Sequence, residues 1–129
     1  MEPEEIPVEG LTHHNFAFAY ITPNTYNIAA MDSRTSESMF TKVTSTKERN
    51  ADLKVWVALG GWTFNDNGTD TQPVFTSLCK TKPARSRFIT NLVAFMSQYG
   101  FDGVDIDWEY PGAEGELRRY IHFVFTSTN

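Results

Sequence analysis

Between residues 13 and 20 large and small side chains alternate, so Phe16, Phe18 and Tyr20 share one face of an extended chain and Ala17 and Ala19 the other. Period two with aromatic enrichment predicts a strand, and a small-residue face suits a crowded interior. Pro23-Asn24 closes it with turn chemistry. From 36 to 49, Met39, Phe40 and Val43 recur at helical spacing behind Ser36, a residue type that caps helix starts, although the threonines at 41, 44 and 46 weaken the pattern. Residues 53–59 form a short apolar, β-branched run stopped by Gly60-Gly61, which predicts a buried strand. Residues 63–72 read as loop. From 83 to 99 a broad stripe of Phe88, Ile89, Leu92, Val93, Phe95, Met96 and Tyr99 predicts a helix, with Pro83 in its first turn and Gly100 just past its end. Residues 101–108 resume as a strand.

The order strand, helix, strand, helix, strand, with connections of crossover length, predicts parallel strands in an α/β architecture. Ligand chemistry in such sheets gathers at the carboxyl ends of the strands. Here those ends are Tyr20, Gly60-Gly61-Trp62 and Glu109-Tyr110.

Composition narrows the classes of function. The 129 residues carry a net charge of −5 and are 40% hydrophobic and 14% aromatic, which suits one domain with a core. The acidic balance and scattered basic residues argue against a nucleic-acid partner. A mean hydropathy of −0.37, without a long apolar run, argues against a membrane-spanning segment. Cys79, in Phe75-Thr76-Ser77-Leu78-Cys79, reads as a small buried hydrophobe rather than a catalytic thiol. His13, His14 and His122 lack the spacing of a metal site, and no cofactor is expected. The acidic start, residues 1–7, has no apolar segment of the secretory type. Asn67-Gly68-Thr69 is an N-glycosylation sequon, meaningful where the chain is exported.

One segment carries the chemistry. Along 101–110, alternation puts Asp105, Asp107 and Glu109 on one face and Val104, Ile106 and Trp108 on the other. The carboxyls stand about 6–7 Å apart along the strand. A solvated edge strand could tolerate them. The apolar opposite face and the strong preceding helix instead predict an interior strand, where like charges raise one another's pKa and one group keeps a proton. Glu109, at the carboxyl end, is then the natural general acid. A calcium cage is the rival reading, but a straight strand spreads its carboxyls where a calcium loop gathers them.

Asp102-Gly103-Val104-Asp105-Ile106-Asp107-Trp108-Glu109-Tyr110-Pro111 resembles the signature of the family 18 glycoside hydrolases, the chitinases, and of their fungal branch most. Residues 11–20 resemble that family's second barrel strand. Residues 54–62 resemble its third, with Ala58 where the usual Ser-x-Gly-Gly motif has serine. The resemblance implies a partial (β/α)8 barrel, a TIM barrel segment of parallel strands and crossover helices, acting on chitin or chitooligosaccharides. It implies Glu109 as proton donor, Asp107 orienting the substrate acetamido group and Asp105 behind it sharing a proton. The acetamido oxygen itself then attacks the anomeric carbon, and the configuration is retained. It also places Phe18, Gly61, Trp62 and Tyr110 at the sugar-binding cleft, with core filling as the alternative role for Phe18. Extracellular action would follow from the family.

A complete barrel takes about 250 residues, so the chain is expected to supply the second to fourth strands over 4–112. Residues 113–129 are expected to be an atypical tail, with a helix starting at 113–120, as a truncated gene product would have. Such a three-stranded piece is expected to expose sheet edges, to aggregate and to turn over little substrate. A sugar-binding relative without hydrolysis, or a truncation product without function, are the alternatives; the presence of Glu109 with both aspartates argues against the former.

Overall fold

The computed structural model describes residues 2–112, so the helix expected at 113–120 lies outside the described residues. Four strands form one sheet in the order β2-β1-β3-β4, where β1 is His13–Ile21, β2 Ile28–Ala30, β3 Lys54–Gly60 and β4 Gly103–Asp107. The β1, β3 and β4 strands run parallel, as the alternating pattern requires. The short β2 returns antiparallel beside the end of β1, a hairpin too brief to show a period of its own.

Both crossovers carry helices. The first holds α1, Ser38–Thr44, followed by a 3-10 turn at Ser45–Arg49. The predicted helix over 36–49 is thus shorter, and Glu37, not Ser36, occupies its N-cap position, without a side-chain cap. The threonines explain the break: the Thr44 hydroxyl reaches the Tyr99 carbonyl at 2.6 Å and the Thr46 hydroxyl donates to the Val43 carbonyl at 2.6 Å. The second crossover holds α2, Trp62–Asn65, α3, Val74–Lys80, and α4, Lys82–Tyr99. The first two fall where the sequence suggested loop or no element at all. α4 matches its prediction: the Thr81 hydroxyl accepts the Ala84 N–H, and Gly100 ends the helix at φ 80°. Val93 is the exception to its stripe, exposed on the outer side.

The core lies between the sheet and the helices. Val55, Val57 and Leu59 of β3 are fully buried against Phe88, Leu92 and Phe95 of α4 and the residues of α1 and α3. Phe40 of α1 is its aromatic hub, edge-on to Phe16, Phe95 and Tyr99 at ring separations of 5.2, 5.0 and 5.1 Å. Cys79 is buried on α3. One feature of β1 departs from simple alternation. Ala17 stands opposite Ala58 and Ala19 opposite Leu59, so Phe18 is an extra residue in the ladder. Phe16 and Ala19, expected on opposite faces, therefore share the core side.

β4 is the last strand of the described sheet, as expected of a barrel piece that ends after its fourth strand. Its entry is fixed by Asp102. The Asp102 N–H donates to the Val55 carbonyl at 2.8 Å, and its carboxylate accepts from the Val55 N–H at 2.8 Å and from Lys47 Nζ at 3.1 Å. Burial works upward on this carboxyl, but the Val55 N–H and the Lys47 ammonium outweigh it and hold the pKa below the ordinary 3.8. A lowered carboxyl pKa contributes stability that is complete above the unfolded value and lost as pH falls through the folded one. Asp102→Ala should therefore destabilise the chain by about 1 kcal/mol at neutral pH, solvent screening of this exposed residue keeping the figure small. In denaturant melts the difference from the parent should shrink below about pH 4; an effect independent of pH would show that the charge is not what holds β4.

Candidate active site

The inward face of the parallel strands, opposite the helices, is built from small residues. Register places Ala17, Ala58 and Asp105 in one row, and Gly60 beside Asp107 in the next. Beneath them the Trp56 ring lies over Gly103, where a Cβ would come within 2.6 Å of it. Ala17 and Ala58 leave the row beside Asp105 open, and Asn15 Nδ2 reaches across β3 to donate to Asp105 Oδ2 at 3.0 Å.

At the carboxyl ends the chain turns sharply. Gly60 and Gly61 have φ of 111° and 83°, conformations that side chains with a Cβ rarely adopt. The Gly61 N–H donates to the Asp107 carbonyl at 3.0 Å, so the turn after β3 is pinned to the end of β4. Asn65 tightens the same point: its Nδ2 donates to the Gly61 carbonyl at 2.7 Å and approaches the Asp107 carbonyl at 3.4 Å. The ring of Phe18 lies against Gly61, leaving a Cβ there only 2.9 Å from it.

Trp108 stacks on Phe75 of α3 at a ring separation of 5.6 Å, on the helical side. Ile106 packs on the core, so alternation turns Asp107, the last residue of β4, to the other side, while Glu109 lies in the bend two residues past the strand. Glu109 lines an open hollow of about 260 Å3 together with Trp62, Asn65, Asp66, Asn67, Gln72 and Tyr110. Trp62 and Tyr110 are 64% and 71% exposed and meet edge-on at 6.5 Å across it. Two rings presented to solvent beside a carboxyl suit the apolar faces and the oxygens of a sugar.

Of the residues singled out in the sequence, Glu109, Trp62 and Tyr110 line this one hollow. Asp105 is exposed and Asp107 and Glu109 are half-buried. Asn15 and Asn65 were not anticipated. Asn15 shares the period-two face of Ala17, a signal that alternation offers, whereas Asn65 sits in a stretch that reads as loop. No grouping of three or more His, Cys, Asp or Glu able to hold a metal ion occurs among the described residues, nor a helix long and apolar enough to cross a membrane.

This arrangement has many relatives. The family described as glycosyl hydrolases family 18 matches residues 2–126. Chitinase B of Serratia marcescens is 36% identical over 106 residues, covering 80% of this chain and 21% of its own. An endochitinase of Manduca sexta is 33% identical over 112 residues, covering 85% of this chain and 19% of its own. Among solved structures, a double mutant of a family 18 chitinase from Cycas revoluta bound to (GlcNAc)4 superposes with TM-score 0.82 at 28% identity, over 99% of this chain and 36% of that one. The second catalytic domain of an Ostrinia furnacalis Group II chitinase does so with TM-score 0.82 at 30% identity, over 98% and 34%. The chain belongs to the family 18 glycosyl hydrolases. Its sheet and helices are a segment of their TIM barrel, about a third of the length of the structural neighbours.

The turn at Gly61 offers a direct check on the site. Gly61→Ala must place a methyl against Phe18 in a backbone conformation unfavourable to alanine, at a cost of about 1–3 kcal/mol. It should lower the unfolding midpoint and change the Trp62 fluorescence; a variant as stable as the parent, with unaltered emission, would contradict the close approach of Phe18.

Proposed function

We propose that this chain carries the proton-donating part of a chitinase active site, acting on the β-1,4 linkages of N-acetylglucosamine polymers. Support comes first from one juxtaposition: Glu109 lines the same hollow as the exposed Trp62 and Tyr110, at the carboxyl end of the parallel strands. Family membership and the (GlcNAc)4 bound to the Cycas revoluta enzyme favour the same substrate class.

In this reading the sugar lies across Trp62, and Glu109 donates its proton to the glycosidic oxygen as the bond breaks. The neighbouring inward carboxylate, Asp107, accepts the acetamido N–H and aims the acetamido oxygen at the anomeric carbon. That oxygen forms the new bond on the opposite side, giving a cyclic oxazolinium ion, and the departing sugar takes the Glu109 proton. Water activated by the Glu109 carboxylate then opens the ring, so the two displacements retain configuration. Asp105, steadied by Asn15, sits one inward position behind Asp107. Phe18 and Gly61 shape the floor beside Trp62. Chitin is an extracellular polymer, so the reading places the action outside the cell.

Because the chain spans about a third of its structural neighbours, the test supplies the rest of the barrel. Residues 2–112 exchanged for the equivalent part of the Cycas revoluta chitinase should give a chimera that hydrolyses chitooligosaccharides. Glu109→Gln in that chimera should lower turnover by about 10²–10⁴-fold while sparing oligosaccharide binding. A folded chimera without turnover, or one indifferent to Glu109→Gln, would overturn the assignment.

A further inference from the structure

The hollow has a rim that the reaction does not use. Asn67-Gly68-Thr69 is the one N-glycosylation triplet in the sequence, and it lies on the loop that follows α2. Asp66, Asn67, Gly68 and Asp70 are all exposed. Gly68 turns the chain at φ 86° with nothing within 4 Å of where a Cβ would stand, so there is open space around the triplet. The Thr69 hydroxyl donates to the Asp66 carbonyl at 2.8 Å, closing a local turn that carries Asn67 at its outer side. Asn67 nevertheless lines the same hollow as Glu109, Trp62 and Tyr110. A substituent on its amide would stand over the aromatic side of that opening.

We infer that Asn67 is an N-glycan acceptor whose sugar chain screens the Trp62 side of the hollow. The donor class is a lipid-diphosphate-linked oligosaccharide that begins with N-acetylglucosamine. Asn67 Nδ2 forms a bond to C1 of that sugar and loses one proton, the C1–oxygen bond to the diphosphate breaks, and the lipid diphosphate leaves with the bonding electrons. No oxidation is involved. The hydroxyl of Thr69 is the group that makes the triplet readable, and transfer takes place as the chain emerges, before the Thr69–Asp66 turn closes. The bulk of the product then limits how ligands approach Trp62.

The test carries the full chain into the secretory pathway of a eukaryotic host behind a cleavable leader and recovers the lumenal or secreted product. Mass spectrometry should find the peptide containing Asn67 carrying an N-glycan that a peptide amidase removes, leaving aspartate at 67. Asn67→Gln and Thr69→Ala should lose the glycan and Thr69→Ser should keep it. Trp62 is 64% exposed and Trp108 only 9%, with Trp56 half-buried, so quenching by neutral acrylamide reports mainly on Trp62. Quenching should be weaker in the glycosylated chain than in Asn67→Gln. A lumenal chain with Asn67 unmodified would overturn the acceptor assignment, and a glycosylated chain quenched as strongly as Asn67→Gln would overturn the screening. Neither readout involves hydrolysis, so failure here is separable from failure of the chitinase reading.

Discussion

β3 pairs with β1 on one side and β4 on the other, and toward the inward face it offers only Ala58 and then Gly60 in the rows that Asp105 and Asp107 occupy. Its opposite face is Val55, Val57 and Leu59, sealed against the helices. One strand therefore anchors the core with its branched side chains while its small residues leave space for acidic ones. Larger residues at 58 or 60 would fill the room through which Asn15 reaches Asp105 and in which the Asp107 carbonyl approaches Gly60. The positive φ of Gly60 and Gly61 then sends the chain over the top of β4, where the Gly61 N–H and the Asn65 amide grip the Asp107 carbonyl. The aromatic wall and the acidic strand meet because of that grip.

Much of this was legible because it rests on periodicity. Alternation turns Val104 and Ile106 of β4 toward the core, and both pack there, with Trp108 stacked on Phe75 just past the strand. The stripe on α4 and its glycine cap were equally clear, since both follow from local geometry. Val93 shows the limit: a helical stripe has a width, and α4 meets its neighbours over less than the sequence offers. The extra residue at Phe18 was invisible, because a strand with one residue out of register reads the same as a regular one until its partner is known. α2 and α3 were missed because each is very short and depends on packing, Phe64 and Phe75 being buried against one another at a ring separation of 5.2 Å.

The acidic strand also shows how far a local pattern reaches. An apolar face behind three carboxyls argues that one side is covered, and it is: Val104 and Ile106 pack against the core. It does not say whether a further strand covers the edge, and β4 ends the described sheet. The shaping of the hollow comes from the opposite wall, where α2 and the following loop supply Trp62, Asn65 and Asn67. A segment that sequence patterning leaves blank thus contributes most of the lining, while Glu109, two residues past β4, contributes the carboxyl.

A crystal structure would show whether Asp107 and Glu109 face one sugar from the same side with Trp62 beneath it. The subject is the barrel chimera carrying Glu109→Gln, soaked with a chitooligosaccharide. The residue at 109 should lie within hydrogen-bonding distance of a glycosidic oxygen, Asp107 on the neighbouring acetamido N–H, and a sugar face on the Trp62 ring. A sugar bound away from these residues, or side chains 107 and 109 pointing to opposite sides of the strand, would contradict it.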